Sequence, residues 1–439
     1  MTEFNALGRT IYYDERSTVF SLFKPTSEEL ESFVPLPPMD KIIKTIQPTA
    51  YTFCIDVSDV CNLCCDYCFN KNKSGRTIDS KTAISYLEKM FDKYPNGEKY
   101  FVDMSGKGEP LLALKTILEI ATWCKKKQDE IRAEVLPQFV CNGTLLTPSI
   151  AKTLQDNGIL FGVSLDGNKD IHDKHRKDAF GEPTFDKILN NIKGIEHREY
   201  IGCAATITKD VFPLVETIDS LLPYFKTLSF RPARGDYGLD LESEKAWEKE
   251  YDLLGERLLE DIKANDKTLF MTLMNGEDYL GRYLVRTIGS KRTFTRCDAT
   301  TSRFALDIDG QIYPCPACAE IGAHTLNTDL FSMVSQAKRC LDCPFKYFCG
   351  GECPLVLSTN QYSSDANCAF RKKLIVISMV LAETMRFYNP HLFRVLNDFC
   401  AEKVRRLKKE PELYHYMEAN PELTFTEAKT AFDKIKRRY

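Results

Sequence analysis

The chain has 439 residues, 43% of them hydrophobic, which is enough apolar material for a large core shared among two or three domains. Its 59 basic and 62 acidic side chains nearly cancel, leaving a net charge of −3, so there is no overall electrostatic case for a nucleic-acid partner. The start, Met1-Thr2-Glu3-Phe4-Asn5, lacks the pattern of a secretory signal, and the longest apolar stretch (374–381) is too short to span a bilayer. A cytoplasmic setting is the expectation. There, 17 cysteines imply metal rather than disulfides.

The first 49 residues carry β-like stretches at 10–13 and 19–23 and an acidic helix candidate at 27–33. This extension reads either as a peptide-docking element or as a strand pair covering an open sheet edge. A β-rich run at 51–57 leads directly into Cys61-Asn62-Leu63-Cys64-Cys65-Asp66-Tyr67-Cys68-Phe69. With Cys64 skipped, the spacing is C-x3-C-x2-C. A [4Fe-4S] cube needs a ligand at each iron, so three close thiolates leave one iron open. A zinc knuckle is the bland alternative, but it usually pairs C-x2-C with a second Cys or His pair.

Helix and strand signals then alternate. Helices are predicted at 80–91, 112–126, 148–157, 185–195 and 212–222; strands follow at 100–104, 135–141, 159–165, 201–208 and 227–230. With the first strand these make six β/α repeats over 50–235, which implies a parallel sheet with right-handed crossovers. Six repeats rather than eight predict an α/β fold built on a partial (β/α)6 TIM-like barrel, with chemistry at the C-terminal ends of the strands. Three motifs fall at such ends: Ser105-Gly106-Lys107-Gly108-Glu109-Pro110, Cys141-Asn142-Gly143-Thr144, and Ser164-Leu165-Asp166-Gly167 followed by His172, Asp173 and Arg176. Each alone is also an ordinary turn. Asp166 reads as a turn cap and His172 as a structural hydrogen-bonder.

Residues 236–296 are rich in charged helix formers and form a predicted helical bridge. From 297 to 370 the cysteines return: Cys297, Cys315 after Gly310, Cys318, then Cys340, Cys343, Cys349 and Cys353 spaced C-x2-C-x5-C-x3-C, and Cys368. Read alone, the spaced group also fits a zinc ribbon. Residues 371–439 form a helical extension with basic clusters at 403–409 and 434–438. Thr424 to Glu427 is a capping-box signature, with Ala428, Ala431, Phe432 and Ile435 on one face beyond it.

Over residues 50–370 these motifs together resemble the radical S-adenosylmethionine (SAM) enzymes that carry a C-terminal SPASM domain, of the peptide-maturase type. The resemblance implies a [4Fe-4S] cluster on Cys61, Cys65 and Cys68 whose open iron takes SAM, which one electron cleaves to a 5′-deoxyadenosyl radical. It implies SAM contacts from Tyr67, Gly108, Glu109, Ser164 and Arg176, with Glu109 on the amino group and Ser164 and Arg176 on the carboxylate. Lys107 stands where that family usually has glycine. Two auxiliary [4Fe-4S] clusters are implied, one on Cys340, Cys343, Cys349 and Cys368, the other on Cys297, Cys315 and Cys353. The fourth ligand of the latter is either Cys318 or an open position.

The function implied by this resemblance is maturation of a ribosomally made (RiPP) precursor peptide with its leader, with a flavodoxin or ferredoxin as reductant. A thioether crosslink is the leading expectation, because an open auxiliary iron could bind a substrate thiolate. Formylglycine formation, as in the anaerobic sulfatase-maturating enzymes, is the alternative; there an aspartate proposed as base follows the cysteine, whereas here Pro316 follows Cys315. Carbon–carbon crosslinking or epimerisation also stays open, and no base is assigned. Cys54, Cys64, Cys124, Cys141, Cys203 and Cys400 match no ligand role.

Overall fold

The computed structural model describes residues 1–36, 48–68, 70, 74–233, 235–276, 278–293, 297, 299, 301–320, 322, 340, 342–351, 353, 365–405, 427 and 429. The basic clusters at 403–409 and 434–438 and the helix face after Thr424 fall almost wholly outside them, as does Phe69 of the cysteine loop.

The N-terminal stretch folds as β1 (Thr2–Ala6), β2 (Arg9–Asp14) and β3 (Val19–Ser21), an antiparallel sheet in that order. The principal sheet contains β4 (Ala50–Ile55), β5 (Lys99–Asp103), β6 (Glu134–Cys141), β7 (Leu160–Ser164), β8 (Gly202–Ile207) and β9 (Thr227–Pro232). These six strands are parallel and adjacent in chain order. Helices Ser80–Lys93, Leu114–Ile131, Pro148–Asp156, Phe185–Lys193 and Leu214–Leu221 make the crossovers. All five predicted repeats between strands are present. Their ends follow local chemistry: Asp79 caps the first helix, and Thr147 with Pro148 starts the third. Pro110 opens a short 3-10 turn, so the helix predicted from 112 begins at Leu114.

The strands have two unlike faces. On β5, Tyr100, Val102 and Met104 are fully buried against helices such as Ser80–Lys93, through Phe91 against Tyr100 at 4.3 Å. The alternate residues Phe101, Asp103 and Ser105 are only partly covered. The period of two repeats across the sheet, so the inner face carries Asp103, Gln138, Ser164, Ala204, Thr206 and Ser229 beside the larger Phe101, Leu136 and Leu160. An inner wall of that kind leaves room for a ligand.

Two further strands enlarge the sheet to eight. β10 (Arg303–Leu306) pairs parallel with β4, and β11 (Ile312–Tyr313) pairs antiparallel with β10. The open edge at β4 is therefore closed by the C-terminal cysteine region, not by the N-terminal strands. Those pack elsewhere: Phe4 lies 4.6 Å from Phe345, and the Tyr13 hydroxyl donates to the Pro344 carbonyl at 2.9 Å.

Residues 241–264, 268–276 and 279–288 are helices, as the composition of the bridge suggests. The apolar run at 374–381 belongs to the long helix Asp365–Tyr388, where Leu374, Ile375, Ile377, Met379, Val380 and Leu381 are all fully buried. Each aliphatic side chain so covered stabilises the fold by roughly 1.5–3 kcal/mol. Among the described residues, no helix is long and apolar enough to cross a membrane.

Candidate functional site

The cysteine loop leaves the C-terminal end of β4 and is held by all three strand-end motifs. The Gly108 and Glu109 amides donate to the Ser58 and Val60 carbonyls at 2.8 and 2.7 Å. A Cβ on Gly108 would stand 2.2 Å from the Val60 oxygen, so only glycine permits this contact. Asn142 Nδ2 donates to Asn62 Oδ1, and Asn62 Nδ2 to Thr144 Oγ1, both at 2.8 Å. From the third motif, the Lys177 carbonyl accepts from the Cys64 amide at 2.8 Å and the His175 carbonyl from the Asp66 amide at 3.3 Å. Motifs spread between Ser105 and Lys177 thus converge on one loop.

Asp166 organises the pocket beside that loop. Fully buried, it accepts from Arg176 Nε at 2.7 Å, from the Thr206 amide at 2.8 Å and from the Tyr67 hydroxyl. Burial alone would push its carboxyl up, but the Arg176 charge and these hydrogen bonds outweigh it and hold it below the ordinary aspartate range. The Arg176 guanidinium also lies 5.4 Å from the centre of the Tyr67 ring. Only Nε is used on Asp166, so the terminal nitrogens can fork a second carboxylate. Asp166 is therefore the anchor of Arg176, a larger role than the turn cap read from the sequence.

His172 behaves as expected. Its Nδ1 accepts from the Asp166 amide at 3.1 Å, so Nε2 carries the proton and donates to Thr184 Oγ1 at 3.0 Å. Burial pushes its pKa down to about 4, keeping the ring neutral. Glu109 is buried, with its carboxylate accepting from the Asn142 amide at 2.7 Å and the Leu111 amide at 3.1 Å. Burial pushes it up to about 7 despite those bonds. Ser164 closes β7 on the inner face, level with Ala204 of β8.

One constellation escaped the sequence reading. His175 touches both oxygens of Asp66 through Nδ1 at 3.0 Å and Asp210 through Nε2 at 2.8 Å. It ties the cysteine loop to the end of β8, with Tyr237 edge-on at 5.9 Å. The short helix Lys169–His175, capped by Asn168, sets it there. The only sequence signal was the second histidine three residues after His172.

The thiols fall into three groups. Cys61, Cys65 and Cys68 are partly exposed electrostatic neighbours. Burial pushes Cys65 up to about 11, Arg176 pulls it down, and Asp166, Cys68 and Cys61 push it up again, so a thiolate there needs a cation. In the second group, Cys318 Sγ lies 3.4 Å from Cys315 Sγ, with Cys353 packed against the same patch. In the third, Cys349 and Cys368 bear on Cys343, and the Cys343 amide donates to the Cys340 carbonyl at 3.3 Å. Cys297 is partly exposed. Among the described residues, no three His, Cys, Asp or Glu side chains converge as ligands of one metal ion. All three groups offer thiol donors, the kind that hold iron–sulfur clusters.

Comparison with known proteins agrees with this geometry. The family model described as the Radical SAM superfamily matches residues 55–208. A cysteine-type anaerobic sulfatase-maturating enzyme of Clostridium perfringens is 26% identical over 292 residues, covering 64% of this chain and 75% of the relative. A serine-type counterpart from Klebsiella aerogenes is 23% identical over 343 residues, covering 69% and 79%. Among solved structures, native anSMEcpe with bound AdoMet shares the fold with a TM-score of 0.58 at 20% identity, covering 80% of this chain and 100% of that one.

Proposed function

Because the chain belongs to the radical SAM superfamily through residues 55–208, we propose that it is a maturase that oxidises a residue of a peptide or protein by two electrons. Cys61, Cys65 and Cys68 would hold a [4Fe-4S] cube, which with SAM would supply the 5′-deoxyadenosyl radical. The chain's own residues hold SAM still. Arg176, fixed by Asp166, offers its free fork to the carboxylate beside Ser164. Glu109, costly to ionise alone, takes the cationic amino group, and Gly108 brings the backbone close to the loop. Tyr67 seals this pocket through its hydrogen bond to Asp166.

The observation that carries the oxidative reading is the placement of the second thiol group. β10 and β11 join the barrel sheet, so Cys315 and Cys318 stand against Cys54 on its inner face, beside the space where a substrate would meet the radical. An iron–sulfur acceptor on Cys297, Cys315, Cys318 and Cys353 can take the second electron there. A second such site uses Cys340, Cys343, Cys349 and Cys368.

Cys318 shares one patch with Cys315 and Cys353, which supports Cys318 as the fourth ligand. With that site filled, a substrate thiolate has no open iron, which counts against the thioether route and in favour of oxidation at carbon to an aldehyde. The relatives from Clostridium perfringens and Klebsiella aerogenes are named as sulfatase-maturating enzymes. The thioether reading keeps one support: Pro316 supplies no side-chain base after Cys315. A peptide leader and a flavodoxin- or ferredoxin-type reductant belong to the same proposal.

The test is to supply reduced, reconstituted enzyme with SAM and with cysteine- and serine-bearing sulfatase-type peptides, then to read product masses. Aldehyde formation removes two hydrogens from serine; from cysteine it removes two hydrogens and, after hydrolysis, replaces the sulfur by oxygen. A thioether removes two hydrogens and abolishes thiol alkylation. SAM cleavage with every peptide unchanged in mass contradicts the proposal.

A further inference from the structure

Asp56 follows the last residue of β4, and its amide still donates to the Leu306 carbonyl of β10 at 2.9 Å. The strand alternation therefore continues through it. Phe53, Ile55 and Val57 belong to the apolar core behind the sheet, whereas Cys54 packs with Cys318 on the inner face, and Asp56 shares the face of Cys54. Only 3% of the residue is exposed, and among the described residues Oδ2 has no hydrogen-bond partner. A buried carboxylate oxygen left without a partner is unfavourable, so one that persists on a ligand-facing wall marks a contact made by something else.

Four charged groups act on it electrostatically: Lys107 of the Gly106–Pro110 loop, Asp307 after β10, Glu320 at the end of helix Pro316–Glu320, and Asp59 of the cysteine loop. Three of these are committed. Asp59 accepts from the Ser74 and Arg76 amides at 2.7 Å, and Asp307 Oδ1 accepts from the Asp309 and Gln311 amides at 2.9 and 2.8 Å. Glu320 lies 3.6 Å from Lys107 Nζ. Buried Glu320 Oε2 also accepts no hydrogen bond but has that ion pair, whereas Asp56 Oδ2 has neither among the described residues. It stands between the loop that binds SAM and the helix that carries Cys318.

We propose that Asp56, with Lys107 beside it, is the proton acceptor of the oxidation. The inference rests on the peptide-oxidation reading above. The substrate residue –CH2–XH, X being sulfur or oxygen, first gives a hydrogen atom from carbon to the deoxyadenosyl radical. It then gives one electron to an iron–sulfur acceptor and the X–H proton to the Asp56 carboxylate. One C–H and one X–H bond break, and a carbon–heteroatom double bond forms. Lys107 steadies the carboxylate before transfer. Burial pushes Asp56 up to about 7, with Lys107 pulling it down and Asp307, Glu320 and Asp59 pushing it up. A base that titrates near the working pH is well matched to this task.

The experiment compares wild type, Asp56→Asn and Asp56→Glu holoenzymes, each checked for iron content and folded spectrum. With SAM, reductant and a cysteine-bearing sulfatase-type peptide, Asp56→Asn should keep 5′-deoxyadenosine formation and lose oxidised product by about a hundredfold, while Asp56→Glu restores part of it. An unchanged ratio of product to 5′-deoxyadenosine in Asp56→Asn overturns the proposal. A second arm needs no peptide. Infrared difference spectra should show a buried carboxylic acid that ionises as pH rises through 7 in wild type and is missing in Asp56→Asn; identical spectra overturn the proposal. Wild type that cleaves SAM and leaves the peptide untouched counts against the oxidation reading, and the infrared arm still decides on Asp56.

Discussion

Gly108 and Arg176 show two ways in which a single residue is constrained. Gly108 is fixed by a contact: any Cβ would meet the Val60 carbonyl at 2.2 Å. Gly108→Ala must therefore move either the SAM loop or the entry to the cysteine loop, and SAM affinity measured by equilibrium binding should fall at least tenfold, about 1.4 kcal/mol. Arg176 is fixed by charge. Replacing Asp166 by Asn removes the partner of a buried cation, which costs about 3–5 kcal/mol; SAM binding and 5′-deoxyadenosine release should both collapse, and an unchanged turnover would contradict the anchoring role. Asp56 gives a prediction with a sign. Its pKa is raised in the folded chain, so the neutral form stabilises the fold below the unfolded value of 3.8, and this is lost as pH rises through about 7. Asp56→Asn should be more stable than wild type near pH 8, by up to roughly 4 kcal/mol, with the gap closing near pH 4. The residues that the sequence names are those in compact motifs: Ser164 ends β7, Glu109 caps the turn after β5, and Arg176 caps the helix Lys169–His175. The pairs Tyr67–Asp166 and Asp66–His175 are 99 and 109 residues apart and leave no local pattern to read.

At the level of elements, hydrophobic periodicity exposed the six parallel strands and their helices, because a buried strand and an amphipathic crossover differ in period. It missed β10, a strand of four residues, Arg303–Leu306, too short for a periodic signal. That omission mattered, since β10 closes the barrel edge and carries the Cys315–Cys318 turn inward. It also misplaced the alternative role of the N-terminal strands, which pack on Phe345 and Phe348 near the third thiol group. Cys318 is the element-scale test. If it completes the first auxiliary cluster, Cys318→Ala should retain iron yet open one coordination site, so that the reduced EPR spectrum shifts when a cysteine-bearing peptide is added. Wild type should show no such shift. A shift in wild type would return the thioether reading to the front.

On the scale of the whole molecule, residues 55–208 supply SAM chemistry, and the C-terminal cysteines reach the same sheet through β10. The long helix Asp365–Tyr388 starts beside the third thiol group, with Arg371 3.7 Å from Cys349 Sγ, and then runs through the core against helices Leu241–Ala264 and Tyr279–Ile288. Cluster binding and folding of this half are thereby linked, and removing iron with a chelator should lower its melting temperature. The proposed peptide oxidation uses three iron–sulfur sites in one chain. Iron and acid-labile sulfide per chain, measured after anaerobic reconstitution, test this most directly. About twelve of each are predicted, one cube for each thiol group. About four of each would leave the C-terminal cysteines without clusters and remove the electron acceptor, and zinc without sulfide would contradict the radical chemistry itself.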